Sequence, residues 1–315
     1  MIHHMSQRLL FPSAFAIATL VLASCGSDSD IPILAGNTQN ASSEGETLYQ
    51  QAKQADDSGK TKRAEKLYDE VATRFPFAPS AAQARFRQAQ ILEQQGEIQK
   101  AFTAYDRFLS QFPASNLYST AVSHQAAMAQ SAADGDIKSS FLGLKTKLSI
   151  EKTVEMLTKV RDHAPKSRTA SKAQFSIGKL YQAKKKPKEA IAAYQQLVKD
   201  QPESPEAPDA LFEIGVTMTE DAERGNQNQA NVERAREAFN DYLTQYPGHS
   251  RNGEARKLLA NLSGGDLQRT HDIAEFYLKT GKPESAKVYY RDIVKRTGSG
   301  KLHDASKARL KELGE

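Results

Sequence analysis

Paired small residues at a fixed spacing are the feature that most constrains how this chain of 315 residues folds. Four times along the chain, an alanine or glycine is followed twelve residues later by an alanine. A tyrosine lies four residues after the second small residue. A proline lies twelve residues after that same small residue, and in the last copy Gly298 takes its place. The four sets are Ala52, Ala64, Tyr68 and Pro76; Ala89, Ala101, Tyr105 and Pro113; Gly178, Ala190, Tyr194 and Pro202; and Ala274, Ala286 and Tyr290.

The packing of antiparallel helices explains this spacing. Two helices approach closely only where the facing side chains are small, so each repeat needs one small residue on its first helix and one on its second. The tyrosine then fills the space toward the next repeat, and the proline ends the second helix. Gly59, Gly96 and Gly281 fall between the two helices, where a left-handed residue is needed. The pattern is that of the tetratricopeptide repeat, and it predicts an all-α superhelical solenoid.

Two further repeat units are stretched by insertions. One runs from Ala114 to Pro165, and the other runs from Glu206 to Pro247. In the second, Gly215 and Ala235 take the two small positions but stand twenty residues apart. Eight extra residues therefore lengthen the hairpin of that unit.

The ends of the repeat region are set by composition. Residues 25–43 are rich in serine, aspartate, glycine and asparagine, which predicts a flexible tether. Toward the other end, a helix over Asn252–Leu262 continues the stack, and a charged helix over about 302–313 is expected to cap it, because solenoid ends must stay soluble. We therefore predict about six helix pairs over residues 44–313, in a right-handed superhelix with a concave groove.

A lone cysteine near the amino terminus predicts where the chain is located. Cys25 follows an apolar stretch and closes the tetrapeptide Leu22-Ala23-Ser24-Cys25, which resembles the lipobox of bacterial lipoproteins. The stretch is broken by Pro12 and is shorter than the roughly 20 apolar residues that span a bilayer. Residues 1–24 therefore read as a lipoprotein signal peptide, and Cys25 as the lipidated residue that anchors the chain to a membrane.

Two alternatives exist for Cys25. An ordinary buried cysteine is one, since cysteine is among the most buried residue types. A catalytic thiol is the other, and it is disfavoured because Cys25 lies before the predicted folded region. Gly26 and Ser27, rather than an aspartate, follow the cysteine, which resembles lipoproteins sorted to the outer membrane.

Charge is unevenly distributed along the chain. The formal net charge is only +5, which is too mild to imply nucleic-acid binding. The segment from Asp136 to Glu189, however, contains 14 basic and 5 acidic residues. The segment from Asp200 to Asp241 contains 3 basic and 11 acidic residues. These segments are either solvated helix faces or two surfaces for partners of opposite charge.

The sequence does not describe an enzyme. Ser58-Gly59-Lys60-Thr61 imitates the end of a phosphate-binding loop, but position 54 is a glutamine where that loop needs glycine. The histidines are scattered singly, so no metal site is predicted. No serine lies in a nucleophile elbow. We therefore expect no catalytic residue, no cofactor and no metal.

Several segments resemble one particular family. Arg74-Phe75-Pro76-Phe77-Ala78-Pro79 is similar to the Arg-Tyr-Pro-Phe-Gly-Pro run of the BamD family, the lipoproteins of the outer-membrane β-barrel assembly machinery. Asp106-Arg107-Phe108-Leu109 resembles that family's next helix. The block from Tyr246-Pro247 to Ala274-Glu275-Phe276-Tyr277 resembles its Tyr-Pro stop, connecting helix and following repeat. The resemblance covers most of residues 44–296.

This resemblance implies a scaffold at the periplasmic face of the outer membrane. Its partners would be a BamA-like barrel protein and unfolded outer-membrane proteins, and its membrane contact would be the lipid anchor. A different reading keeps the fold and changes the partners: a tetratricopeptide lipoprotein that serves peptidoglycan synthesis or Tol-Pal-linked division.

The unit from Ala114 to Pro165, which is the third along the chain, contains an insertion that is a candidate docking loop. Phe141, Leu142 and Leu144 stand among lysines in the segment from Ser139 to Lys147, which the repeat does not need. The segment resembles a Phe-Phe-Gly loop of the BamD family but carries lysines where that family has acidic residues. Its apolar side chains are expected either to fold back onto the helices or to dock a partner.

Overall fold

The computed structural model describes residues 38–141, 144–224 and 229–315, and helices dominate it. Within these residues there are thirteen helices. They are α1 (Thr38–Asp57), α2 (Thr61–Arg74), α3 (Ala81–Gln94), α4 (Ile98–Gln111), α5 (Tyr118–Asp134), α6 (Ile150–His163), α7 (Arg168–Ala183), α8 (Pro187–Asp200), α9 (Ala207–Arg224), α10 (Gln229–Gln245), α11 (Asn252–Lys279), α12 (Pro283–Arg296) and α13 (Lys301–Glu312).

The helices form a stack of antiparallel pairs. Each helix packs against the next one along the chain, and several odd-numbered helices also contact the next odd-numbered helix, as in α1–α3, α5–α7, α7–α9 and α11–α13. Six pairs, from α1–α2 to α11–α12, are followed by the single helix α13. The prediction of an all-α solenoid of about six helix pairs is confirmed, while the handedness of the superhelix stays a prediction. We call the first helix of each pair helix A and the second helix B.

The core follows the repeat positions. The alanines of the four sets are fully buried, as are the tyrosines of helix B. In the third set, helix A carries glycine instead, because a Cβ atom built at Gly178 would overlap the ring of Tyr194. Gly215 faces the ring of Phe239 in the same way: a Cβ atom built at Gly215 would lie 2.7 Å from Cε1 of Phe239. Glycine therefore replaces alanine where the aromatic ring leans closest to helix A.

The turns between helices A and B reverse the chain through a left-handed residue. Gly59, Gly96 and Gly281 have φ angles of 71°, 76° and 74°. Lys185 occupies the corresponding position between α7 and α8, with a φ of 56°. Only glycine takes this conformation without steric cost, so the lysine is an exception to the pattern.

Helix B ends in the same way in three repeats. Phe75, Phe112 and Gln201 are the carboxyl-terminal caps of α2, α4 and α8, and their φ angles are −123°, −127° and −142°. A proline follows each of them. The residue before a proline is pushed out of the helical region, so Pro76, Pro113 and Pro202 stop the helices where the repeat needs a turn.

The insertion of the third unit contains a β-hairpin. Strand β1 (Lys138–Phe141) pairs antiparallel with β2 (Leu144–Lys147), and Phe141 is paired with Leu144 at the end of the ladder. Ser149 then caps α6, accepting a hydrogen bond from the Lys152 amide at 3.2 Å. The hairpin adds a small β element to an otherwise helical stack.

Four helices are longer than the sequence predicts. The segment over Asn252–Leu262 is the start of α11, which continues unbroken through Gly264 and Gly265 to Lys279. Most of the eight extra residues of the fifth unit lengthen α9 and α10 rather than their connection. Helix α1 begins at Thr38 and so overlaps the segment predicted as a tether. Packing of one end of a helix lets it propagate through residues that are poor helix formers alone.

No helix among the described residues combines the length and the apolar character needed to cross a bilayer. The predicted signal peptide, residues 1–24, and Cys25 lie outside the described residues.

Candidate protein-binding groove

In three repeats the buried tyrosine of helix B reaches a polar residue on helix A of its own repeat. The hydroxyl groups of Tyr105 and Tyr194 donate hydrogen bonds to Glu93 Oε2 at 2.9 Å and to Gln182 Oε1 at 2.8 Å. Tyr68 makes a longer contact of 3.4 Å with Asp56 Oδ2. In all three repeats the acceptor lies twelve residues before the tyrosine, so it belongs to the same repeat register.

The same acceptors connect neighbouring repeats. Arg87 on α3 donates from Nε to Asp56 Oδ2 at 2.6 Å. His124 on α5 lies 2.9 Å from Glu93 through Nδ1, and its ring stacks on that of Tyr105 with the centroids 5.2 Å apart. We call the row of contacts from Asp56 through Glu93 and Gln182 the A-helix ladder, because it joins one helix A to the next.

The ladder continues into the second half of the chain. Gln182 Nε2 donates to Glu213 Oε2 on α9 at 3.1 Å, and Arg251, which caps α11, donates from Nη1 to Glu213 Oε1 at 2.7 Å. The guanidinium of Arg251 also lies 3.6 Å from the centroid of the Phe212 ring. Hydrogen bonds and a cation–π contact thus fix the spacing of α7, α9 and α11.

Burial controls the ionisation of the tyrosines. Burial raises the pKa of Tyr105, and its hydrogen bond to the Glu93 carboxylate raises it further. Burial likewise raises the pKa of Tyr194, with Glu213 adding to the effect. Both hydroxyl groups therefore stay protonated as donors at neutral pH, which suits a structural role and not a nucleophile or base.

A cleft opens on the A-helix side between α7, α9 and α11. Its volume is about 590 Å³. Its wall includes the Phe175 ring and the carboxylates of Asp209, Glu213 and Glu220, with Lys179 and Arg251 on its rim. Burial acts to lower the pKa of Arg251, but the hydrogen bonds that its guanidinium donates to Glu254 and Glu213 outweigh this and raise the pKa, so this cation stays charged. The cleft is an open, mainly acidic surface with an apolar wall.

A second cluster joins α4 to α6. Asp106 Oδ1 lies 2.8 Å from His163 Nε2, and Asp106 Oδ2 accepts from Lys159 Nζ at 2.5 Å. Burial acts to raise the pKa of Asp106, but the hydrogen bonds from His163 and Lys159 outweigh it and lower the pKa to about 2. Asp106 belongs to the segment that resembles the BamD family, and its contacts hold the third helix pair against the second.

The structure brings the predicted repeat residues together, and the role predicted for the docking loop stays a prediction. Ala101 and Tyr105 share a core cluster with Ala89, and Ala190 and Tyr194 share another. Leu142 lies outside the described residues, and of Phe141 and Leu144 only the backbone pairing is described. Sequence reasoning missed the ladder acceptors, although a polar residue stands twelve positions before Tyr68, Tyr105 and Tyr194.

In the part of the chain that the structure describes, the polar side chains of the ladder and the cleft bond to one another between helices. There, no group of three or more histidine, cysteine, aspartate and glutamate side chains is placed to hold a metal ion. What the ladder and cleft provide instead is a rigid row of helices with an exposed polar surface. Such surfaces on repeat proteins bind extended segments of other proteins.

The stacked pairs, the small-residue contacts and the tyrosine ladder define a tetratricopeptide repeat protein, and residues 49–116 match the model of that repeat. Residues 144–297 match the outer membrane lipoprotein family YfiO, which is the BamD family. The chain is a BamD-like tetratricopeptide repeat protein. Both families are generally non-enzymatic and imply interactions with other proteins.

Solved tetratricopeptide structures are also similar to the chain. A tetratricopeptide repeat protein from Parabacteroides merdae is 16% identical, with 89% of this chain and 100% of that chain covered and a TM-score of 0.31. PilF from Pseudomonas aeruginosa is 12% identical, with 87% and 99% covered and a TM-score of 0.31. MamA from Desulfovibrio magneticus is 16% identical, with 65% of this chain and 97% of that chain covered and a TM-score of 0.30. These scores are too low to argue from. No curated protein matches the chain.

Proposed function

We propose that this protein is a lipid-anchored scaffold of the machinery that assembles β-barrel proteins in the outer membrane. The match of residues 144–297 to an outer membrane lipoprotein family carries the proposal. In this function Cys25 receives the lipid, the chain lies at the periplasmic face of the outer membrane, and the helix pairs bind proteins without catalysing a reaction. A cysteine behind an apolar stretch supports the anchor, since acyl chains hold a protein to a membrane without a spanning helix.

Two kinds of partner fit this function. A BamA-like barrel protein would be the permanent partner, and unfolded outer-membrane proteins would be the transient ones. The cleft between α7, α9 and α11 supports the second, because the Phe175 ring beside Asp209 and Glu220 suits an extended segment with apolar and basic side chains. An unfolded chain offers such segments with its backbone free to bond.

Copurification tests the permanent partner. The tagged full-length protein would be crosslinked in membranes, recovered and analysed for bound proteins. Recovery of a BamA-type barrel is the expected result. Recovery of wall-synthesis or division proteins without it would contradict the proposal and favour a scaffold for peptidoglycan synthesis or Tol-Pal-linked division.

Site-specific photocrosslinking tests the transient partners. A photoreactive amino acid would replace Lys179 or Ala183, which line the cleft on α7. The matched control positions are Gln195 and Lys199, which are exposed on α8 and are not part of the cleft wall. We expect unfolded barrel proteins to be captured at the cleft positions and not at the controls. Equal capture at all four positions would exclude the cleft as the binding site.

A further inference from the structure

The turn between α7 and α8 carries a cluster of lysines that the fold does not use. Lys184, Lys185, Lys186 and Lys188 are all exposed. Within the described residues none of the four forms an ion pair, and the nearest ring contact is that of Lys186 Nζ, 6.0 Å from the centroid of Tyr181. Four cations within five residues repel one another, and no ion pair among the described residues offsets this repulsion.

One of these lysines has a backbone conformation that lysine disfavours. Lys185 has a φ of 56°, whereas the equivalent turns use Gly59, Gly96 and Gly281. A lysine in the left-handed region is disfavoured, and a glycine there would fold more easily. Strain of this kind points to a use for the side chain beyond folding.

The neighbouring turn extends the basic surface. The start of α6 lies beside the α7–α8 turn: hydrogen bonds from its own amide and from Ser149 lower the pKa of Glu151, and Lys186 and Lys184 add to the effect. Lys147, which is exposed, lies two residues before Ser149, the cap of α6. The acidic residues around the turn are Glu151, Glu189 and Glu220, which lines the cleft with Ala183, so lysines predominate.

We propose that this lysine edge, formed by the α7–α8 turn with Lys147 beside the start of α6, docks on the anionic lipid surface of the membrane that holds the anchor. The inference rests on the proposed function for its lipid anchor. A lipid surface is favoured over a protein or nucleic-acid partner because exposed turns at one edge of a solenoid meet a flat layer of phosphates without needing a pocket. Each Lys or Arg near an anionic membrane surface contributes about 1 kcal/mol of attraction, so a cluster of four or five lysines is enough for such a contact.

The anchor is compatible with this orientation. Helix α1 starts at the edge opposite to the lysine edge, about 30 Å away along its length of 20 residues. The chain from Cys25 to Thr38 spans at most about 45 Å. An anchored protein can therefore lay its lysine edge on the bilayer.

Vesicle binding of an unacylated chain tests the inference. The mature chain from residue 25 would carry Cys25→Ser, so that no acyl chain contributes, and would be sedimented with phosphatidylethanolamine vesicles with and without phosphatidylglycerol. Each lysine at an anionic surface changes the partition coefficient by about fivefold, so changing Lys184, Lys185, Lys186 and Lys188 to glutamine should lower it by at least about tenfold. The loss should shrink at high salt.

Two further variants complete the test. Glutamine at Lys257, Lys295, Lys301 and Lys307, which are exposed on α11 to α13, removes the same charge elsewhere and should leave binding nearly unchanged. Arginine at the four lysines of the turn keeps the charge and should preserve binding. Equal binding to both vesicle types, or equal loss in the turn and control variants, would overturn the inference. Copurification with a barrel protein does not depend on this result, so the proposed function is tested separately.

Discussion

At the scale of single residues, the repeat works because one contact does two tasks. Glu93 accepts a hydrogen bond from Tyr105 of its own repeat and lies against His124 of the next. Removing it would therefore loosen both the helix pair and its stacking on the neighbour. The same logic applies to Asp56 with Tyr68 and Arg87. Stability along the stack is thus a sum of contacts between nearest neighbours.

The close contact between Gly178 and Tyr194 predicts how adding one methyl group changes the free energy of unfolding. Gly178→Ala places a Cβ atom inside the ring of Tyr194, so the free energy of unfolding should fall by about 1–3 kcal/mol. Gly264→Ala is the matched control, because nothing lies within 4 Å of a Cβ atom there and α11 is exposed at that position. It should raise the free energy of unfolding by about 0.5–1 kcal/mol. Urea unfolding followed by circular dichroism measures both, and a gain in stability for Gly178→Ala would contradict the predicted contact.

The Asp106 cluster predicts a pH dependence. Because the folded pKa of about 2 lies below the ordinary value of 3.8, this carboxylate stabilises the fold above about pH 4, and its contribution is lost as the pH falls through 2. Asp106→Asn should cost about 1–2 kcal/mol at pH 7, a figure reduced for partial exposure, and almost nothing near pH 2. Unfolding at several pH values checks this. Asp162→Asn, at a carboxylate that is 59% exposed, serves as the control, and a pH-independent cost for Asp106→Asn would disprove the assignment.

At the scale of elements, the sequence predicted helices well and their ends less well. The twelve-residue spacing located α3, α4, α7 and α8, because small residues, glycine turns and prolines are all local signals. The length of α11 was missed since Gly264 and Gly265 suggest a break. There, Asp266 accepts from Gln229 at 3.0 Å and pairs with Arg296, so contacts with α10 and α12 hold the helix straight through them. Such long-range contacts have no pattern in one sequence.

The β-hairpin separates two outcomes for the predicted docking loop. If Phe141 and Leu144 pack on the helices, which we expect, changing both to serine should lower the free energy of unfolding by several kcal/mol. If they dock a partner, stability should hold while recovery of the main partner falls. Thermal melting and copurification of the double variant decide between them, with Ser140→Ala and Thr146→Ala as a control in the same strands. No change in either measurement would remove the loop from the functional account.

At the scale of the whole molecule, charge is divided along the stack. The basic segment from Asp136 to Glu189 covers the hairpin and α6 to the start of α8, and the acidic segment from Asp200 to Asp241 covers α9 and much of α10. Lys184, Lys185, Lys186 and Lys188 of the first segment lie on the lysine edge, and Asp209, Glu213 and Glu220 of the second line the cleft. If the two proposals hold, the lysine edge contacts an anionic bilayer while the cleft binds a basic stretch of unfolded chain, so that the two contacts do not compete.

The anchor supplies the last prediction, because the whole arrangement depends on attachment at one residue. Cys25→Ala removes the thiol that receives the lipid, so the protein should accumulate as an unprocessed precursor or leave the outer-membrane fraction. Labelling with a radioactive fatty acid, followed by fractionation, measures both effects, and Ser24→Gly, which keeps a small residue beside the cysteine, is the control. If the lysine edge binds lipid as inferred, some unanchored protein will stay on anionic membranes at low salt and wash off at high salt. Mature Cys25→Ala protein that resists high salt and stays in the outer membrane would refute the lipid anchor.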